Sequence, residues 1–189
     1  LEKYWTDSEV YRCRGGNQQL AAKFVAAIGA ARVLTRTPAR AVDLTDKGAR
    51  ATLASGKVLE ADRVILTAPP PTWNRIAIDP ALPAGLVPQM GTNVKFLIGL
   101  NGPFWRRAEL APDLLSDGPA NMTWHATEGQ RGAGEAMVAF SGGPSAEICR
   151  DWGAQRVQNY LTELGKVYKG IRASYSGRAR FMDWPGDAW

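Results

Sequence analysis

Apolar residues near the start of the chain recur at the three- and four-residue spacing of an amphipathic helix. Asn17 is a favourable N-cap residue, and Gly29 follows the last apolar position, so we predict a helix between these two residues. The apolar face of this helix is formed by Leu20, Phe24, Val25 and Ile28.

The spacing then changes to the short runs that are typical of β-strands, at residues 32–42, 50–53 and 58–66. Turn sequences at 46–48 and 55–57 separate these runs. The third run becomes wholly apolar as it approaches Ala68, which predicts a strand buried on both faces. Three consecutive prolines follow this run and end it, because proline cannot continue a sheet.

A proline-rich connection at residues 79–88 separates two structural units. Beyond it we predict strands at 93–100, 122–126 and 135–141, and a return strand within 171–184. A helical stretch begins at Ser145 and is broken at Gly153. Its second half places one apolar stripe at Val157, Tyr160, Leu161, Leu164 and Tyr168. Helices and strands in this order predict an α+β protein.

The composition excludes several classes of protein. With 45% hydrophobic and 22% charged residues, the chain of 189 residues is typical of a globular protein. Its net charge of +5 comes from scattered basic residues, which do not predict a nucleic-acid groove. No apolar run reaches the roughly 18 residues that a membrane-spanning helix needs. The first residues do not resemble a signal peptide, and we expect a cytoplasmic protein.

Few polar residues form a pattern that indicates chemistry. Cys13 and Cys149 lie too far apart for a metal or redox motif, so either one disulfide or two thiols is possible, and thiols are favoured without a secretory context. The single histidine, His125, has no acid or cysteine at a spacing that suggests a triad or metal cluster. We predict that it lies in a strand and has a local hydrogen-bond partner.

Lys95 interrupts an otherwise apolar strand and is the most informative ionisable residue. Periodicity alone favours a lysine that points to solvent from a half-exposed sheet. Leu97 shares its face, which favours partial burial instead, and a partly buried lysine could position water or a charged intermediate.

Seven tryptophans are an unusual number, and several stand next to turn residues. Most are expected to be core or edge aromatics. A tryptophan beside a glycine-proline turn could equally form a wall for a flat cofactor or substrate.

Taken in order, six motifs of this chain resemble the flavin-containing amine oxidase family, which includes monoamine, polyamine and L-amino-acid oxidases. They start at Arg14-Gly15-Gly16, Thr37-Pro38-Ala39, Ala61-Asp62-Arg63, Gly91-Thr92-Asn93, Pro103-Phe104-Trp105 and Asp183-Trp184-Pro185. The resemblance implies that residues 1–82 are the middle portion of a discontinuous FAD-binding domain, a helix plus a β-meander. It implies that residues 83–189 are the second part of a mixed-sheet substrate domain with covering helices.

The resemblance also implies an activity and roles for four residues. The parent enzyme would transfer a hydride from a C–N bond of an amine or amino acid to flavin N5, and oxygen would then reoxidise FAD and yield hydrogen peroxide. Lys95 matches the lysine that holds a water against flavin N5, and the backbone of Ala39 matches the contact to adenine. Trp184 matches the aromatic near the isoalloxazine, and Trp189 lies near the substrate-side wall.

Two alternatives stay open from the sequence, and two further expectations follow. A flavin desaturase or porphyrinogen-type oxidase shares the FAD domain, and a non-catalytic binding module would need no flavin. The dinucleotide motif GxGxxG is absent from this sequence, so we expect this chain alone to bind FAD poorly and to be inactive. Uncovered apolar faces would lead it to form an oligomer or to bind a companion chain.

Overall fold

The computed structural model describes residues 11–130, 132 and 134–187 of the chain. These residues form two compact units: one comprises Gln18–Met90, and the other comprises residues 11–17 together with residues 91–187. No helix or strand occurs between Asp79 and Asn93, where the sequence predicted a connection. The arrangement of helices and sheets confirms the predicted α+β class. The assignment of 1–82 and 83–189 to flavin and substrate domains stays a prediction.

The unit Gln18–Met90 contains one helix and a four-stranded sheet. The helix α1 spans Gln18–Ile28 and confirms the predicted bounds. The strands are β1 (Ala39–Thr45), β2 (Gly48–Leu53), β3 (Val58–Ala61) and β4 (Ala77–Asp79). Their order is β3-β2-β1-β4, with β1, β2 and β3 antiparallel and β4 parallel to β1.

The apolar face of α1 is exposed in the described part of the chain. Leu20, Phe24 and Ile28 are 58%, 61% and 51% exposed, and no residue of this helix is buried. The helical period therefore predicted the element correctly, but the described residues do not cover its apolar stripe.

The third β-type run of the sequence is the clearest wrong prediction. Strand β3 ends at Ala61, residues 63–67 have no regular structure, and Ile65 is 86% exposed. A strand buried on both faces needs neighbouring strands and layers above and below the sheet. Within the described residues β3 pairs only with β2, so the apolar residues after it have no strand to join. The first run also forms a strand only from Ala39 onward.

The second unit contains a five-stranded sheet with helices on one side. Its strands are β5 (Asn93–Leu100), β6 (Leu114–Leu115), β7 (Met122–His125), β8 (Glu135–Gly142) and β9 (Tyr175–Asp183). Its helices are α2 (Phe104–Arg107), α3 (Pro144–Asp151), α4 (Arg156–Leu164) and α5 (Ile171–Ser174). The strand order is β6-β7-β8-β5-β9, and every pairing is antiparallel. The predicted strands and the helix after Gly153 are thereby confirmed.

Strand β5 divides the second unit into two faces because its burial alternates residue by residue. Val94, Phe96, Ile98 and Leu100 are buried, whereas the intervening residues are half-buried. We call the side of Val94 and Phe96 the covered face, and the opposite side of the sheet the open face.

The covered face packs against the helices and forms the core. The ring of Phe96 stacks on Tyr160 of α4 with centroids 4.3 Å apart and an angle of 4° between the rings. Leu161, Leu164, Tyr168 and Ile171 complete the buried layer. The stripe predicted for the helix after Gly153 faces this core, so the sheet and α4 stabilise each other by removing apolar surface from water.

The pairing of β5 with β9 is irregular near its end. Ile98 pairs with Ala179, but Leu100 pairs with Tyr175, so β9 contains two more residues than β5 in this interval. Gly177 lies within the interval at φ 80°, a left-handed conformation that favours glycine.

We expect Leu164→Ala to lower the free energy of unfolding by about 2–5 kcal/mol, because it opens a cavity in the core. Leu20→Ala removes the same atoms from a side chain that is 58% exposed, and should cost less than about 0.5 kcal/mol. Urea denaturation followed by circular dichroism measures both. Equal losses would show that the apolar face of α1 is covered or that the core is not as described.

Candidate active site

The open face of the second sheet brings together Lys95 and residues from three neighbouring strands. Lys95 lies between Phe140 of β8 and Met182 of β9. In the next row, Leu97 lies between Val138 and Arg180. Because side chains alternate along each strand, the open face carries Lys95, Leu97, Gly99, Met122, Trp124, Ala136, Val138, Phe140, Arg180 and Met182.

Lys95 is neither fully exposed nor fully buried. Its Nζ lies 5.6 Å from the centroid of the Trp124 ring, within the range of a cation–π interaction. The aliphatic part of its side chain lies among the apolar residues of the open face, while the ammonium group stays at the surface. The structure therefore places a positive charge at the surface of an apolar face, which could orient a water molecule or a polar ligand.

Sequence analysis missed the contribution of β9 to this face. Arg180 is exposed and pairs with Leu97, and Arg178 follows one row further along the strand. A Cβ atom added at Gly99 would lie 3.4 Å from the Cβ of Arg178 and 2.7 Å from Ser176 Oγ. Ser176 and Arg178 therefore lie beside Gly99 on the open face. The alternation of Arg178, Arg180 and Met182 was the only signal in the sequence.

Trp184 lies in the turn that follows β9, and its side chain is 54% exposed. The preceding residue, Asp183, forms an ion pair with Arg150 of α3, with 2.8 Å between Oδ1 and Nε. The N–H of Gly186 donates to the same carboxylate at 3.1 Å. A side chain at Gly186 would clash with Asp183, because an added Cβ would lie 2.5 Å from Oδ2. The carboxylate of Asp183 therefore connects the tryptophan turn to the helical layer.

Arg156 holds the end of α3 and the end of β9 together. Its guanidinium donates to the carbonyl oxygens of Cys149 and Arg150, which lie in the last turn of α3. The same group lies 3.7 Å from the centroid of the Phe181 ring in β9. These contacts and the Asp183 ion pair give the turn at Trp184 a defined starting point.

Two of the predicted site residues are not brought to Lys95 by the described structure. Ala39 lies at the start of β1 in the other compact unit, where it pairs with Leu53, and the parallel pairing with β4 begins at Ala41. Trp189 lies outside the described residues. Their roles toward adenine and substrate stay predictions.

His125 has the local partner that the sequence predicted. Its Nε2 lies 2.7 Å from Glu135 Oε2 and 3.2 Å from Thr127 Oγ1. The imidazole is buried on the covered face and packs edge-on against Trp105. The contacts tie the two ends of the β7–β8 hairpin together, which is a structural role.

Burial controls the protonation of several polar groups in the core. It raises the pKa of Cys149, Tyr160 and Tyr168, so all three stay protonated at neutral pH. Ser141 Oγ lies 3.3 Å from Cys149 Sγ and 3.5 Å from the Tyr160 hydroxyl. These groups satisfy one another's hydrogen bonding and are poor nucleophiles.

Neither a metal centre nor a hollow marks the predicted site residues. Among the described residues no group of three or more His, Cys, Asp or Glu could hold a metal ion. A hollow of about 380 Å³ lies between α2 and α5 and is lined by Phe104, Arg107 and Ser174, among others. Lys95 and Trp184 are not part of its lining. No helix in the described part of the chain is long and apolar enough to cross a membrane.

Comparison with known proteins identifies the family. The sequence profile of the family described as flavin containing amine oxidoreductase matches residues 5–189. An L-amino acid dehydrogenase of Synechocystis sp. is 29% identical over 186 residues, which is 93% of this chain and 38% of that protein. The chain belongs to the flavin-containing amine oxidoreductases.

Solved structures support the same fold. Wild-type putrescine oxidase bound to putrescine superimposes with a TM-score of 0.80 at 26% identity, covering 93% of this chain and 40% of that chain. Cyclohexylamine oxidase from Brevibacterium oxydans is similar in fold, with a TM-score of 0.78 at 23% identity. The chain thus spans about two fifths of the length of the relatives that it matches.

We expect the two cysteines, both free thiols, to react very differently with a thiol reagent at neutral pH. Cys13 is exposed and should react at once, whereas burial both shields Cys149 and raises its pKa. Titration with a chromogenic disulfide should therefore show one fast thiol in the folded chain and two in denaturant. Cys13→Ser should abolish the fast phase. Rapid reaction of that variant would show that Cys149 is accessible.

Proposed function

We propose that the protein to which this chain belongs oxidises the C–N bond of an amine or amino acid with FAD as its cofactor. The family supports this proposal, and the observation that carries it is the position of Lys95 on an open, largely apolar sheet face. The chemistry that FAD supplies when bound is acceptance of a hydride from the carbon next to nitrogen. The residues of this chain would bind, orient and exclude water.

The residues on the open face fit one end of such a cofactor. A flat ring system can pack against apolar and aromatic side chains, and the ammonium group of Lys95 is available to a polar atom or a bridging water. The chain lacks the GxGxxG turn that normally holds a dinucleotide pyrophosphate. In our proposal Lys95 and Trp184 therefore contact the ring end, and the backbone of Ala39 contacts the adenine.

The proposed role of Lys95 is electrostatic. Its Nζ carries donor protons that can hold a water molecule in a fixed position, and its side chain is restrained by contact with Trp124. A preorganised positive charge stabilises negative charge that develops during the reaction more effectively than mobile solvent does. Phe140, Met182 and Leu97 would exclude bulk water from its surroundings.

The electron acceptor is the part of the proposal that most needs a direct test. We propose oxygen, with hydrogen peroxide as the product, although one relative is named a dehydrogenase. The full-length protein, purified with flavin, should form peroxide with at least one member of a broad panel of amines and amino acids. Reduction of an artificial dye without peroxide would support a dehydrogenase, and inactivity toward the whole panel in both assays would disprove C–N oxidation.

The exposed apolar side chains of α1 support a further proposal on association. Such a face usually packs against another part of the protein or another chain. We propose that further sequence of the same protein or a companion chain covers Leu20, Phe24 and Ile28, which are about half exposed or more. Light scattering of the 189-residue chain should then show oligomers, whereas a monodisperse monomer at micromolar concentration would contradict this.

We expect Lys95→Met in the full-length protein to slow the reaction with oxygen by about 10²-fold to 10³-fold, the usual cost of removing one preorganised group. Methionine preserves the length and the apolar packing, so the fold should persist. Anaerobic reduction by the amine should change less than about tenfold, because the two half-reactions develop charge differently.

Stopped-flow measurement of the two half-reactions separates these effects. Lys57→Met is the matched control, since Lys57 is an exposed lysine in the turn between β2 and β3 of the other unit. If Lys95→Met slowed both half-reactions equally, or only reduction, Lys95 would have a structural or substrate-side role.

A further inference from the structure

Three cationic side chains share the open face along β5 and β9. Lys95, Arg180 and Arg178 occupy three successive rows of the face, beside Met182, Leu97 and Gly99 respectively. None of the three has a carboxylate partner among the described residues. Like charges on one face repel each other, and a bound anion would relieve that repulsion.

The strand residues of the open face include no acid. The acid at the end of β9, Asp183, lies on the other side of the strand and is paired with Arg150. Glu135 pairs with Leu100 and binds His125 on the covered face. The positive charge of the open face is therefore not neutralised by the sheet that carries it.

A second feature shows that the face is shaped to receive a polar group. Ser176 Oγ is shielded from solvent but has no hydrogen-bond partner in the described part of the chain. The absence of a side chain at Gly99 makes room for this hydroxyl, because an added Cβ would lie 2.7 Å from it. A buried hydroxyl without a partner costs free energy, so a ligand oxygen here would be stabilised.

The rest of the open face is apolar. Leu97 and Val138 lie between the cationic edge and Trp124, and the Trp124 and Phe140 rings are 6.5 Å apart. A ligand that crosses this face from β7 to β9 would contact apolar side chains first and arginines last. The chemical class that matches both parts is an aliphatic chain ending in a carboxylate.

We propose that Gly99, Ser176, Arg178 and Arg180 form a carboxylate-binding subsite at the β9 edge of the open face, and that the substrate is an amino acid whose carboxylate is separated from the amino group by an apolar chain. The choice of substrate rests on the proposed C–N oxidation, whereas the subsite itself does not. Gly99 lies four residues from Lys95 along β5, about 13 Å at the usual rise of a strand. An α-carboxylate could not span this distance from a reaction next to Lys95.

The simpler interpretation is that the arginines only keep an edge strand from pairing with other chains. That role explains charged residues on β9, but it does not explain the Ser176 hydroxyl without a partner or the space left by Gly99. It also predicts no preference for a carboxylate over a neutral group of the same shape.

Binding of hexanoate and of its neutral isostere hexanamide tests the subsite without turnover. In isothermal titration of the full-length protein at low salt, we expect hexanoate to bind at least about tenfold more tightly, since charge-assisted hydrogen bonds are about twice as strong as neutral ones. Arg180→Gln should remove most of this preference, and Arg180→Lys should restore part of it. Ser176→Ala should weaken hexanoate binding and leave hexanamide binding unchanged.

Arg172→Gln is the matched control, because it removes the same charge from an exposed arginine in the helical layer, where Arg172 binds Gln158 and Thr162. It should leave the hexanoate preference unchanged. If wild-type protein showed no preference, or if Arg172→Gln reduced it as much as Arg180→Gln, the subsite would be disproved and edge protection would be the better explanation.

Kinetics of the full-length protein test the substrate class separately. 6-Aminohexanoate should have a kcat/KM at least about tenfold above that of hexylamine, and Arg180→Gln should abolish this difference mainly through KM. Equal loss for both substrates would overturn the proposal. So would an effect of Arg180→Gln on leucine relative to 3-methylbutylamine without any effect on 6-aminohexanoate. Inactivity toward every amine would disprove the proposed C–N oxidation, and hexanoate binding would still decide the subsite.

Discussion

The strict alternation of side chains along β5 is the constraint on which the second unit depends. Val94, Phe96 and Ile98 must point toward the helices because their burial supplies the core. Lys95, Leu97 and Gly99 must then point the other way. A shift of one residue in the pairing with β8 would bury Lys95 under α3 and expose Phe96, so the stability of the core maintains the chemistry of the open face.

The helical layer has a second task besides burial. Arg150 and Arg156 extend from α3 and α4 to Asp183 and Phe181 of β9. The last strand of the sheet is an edge strand in the described part of the chain, and edge strands have neighbours on one side only. Contacts with the helices therefore compensate for the missing neighbour and hold the residues that precede Trp184.

The sequence predicted those elements whose periodicity and tertiary environment agree. Strand β5 and helix α4 have clear apolar alternation and a clear apolar stripe, and the core buries both patterns. The run ending at Ala68 also reads as a strand, yet it has no partner within the described residues, because strand formation depends on pairing that a local pattern cannot report.

The candidate site was predicted less completely than the fold. The resemblance to a family singled out Lys95, while periodicity alone left its environment open between solvent and partial burial. Arg178, Arg180 and Ser176 were missed because their proximity to Gly99 follows from the register of β5 and β9, which are more than seventy residues apart in sequence. Register between distant strands is set by the whole sheet and leaves little trace in either strand.

The irregular pairing of β5 and β9 has a consequence for how this protein can change during evolution. Between the pairs Ile98–Ala179 and Leu100–Tyr175, β9 contains two residues more than β5. An even excess preserves the parity of the strand, so residues on either side of the irregularity keep their faces. Deletion of one residue here would turn one end of β9 over, whereas gain or loss of two would not. Length variation at this position should therefore be tolerated in steps of two.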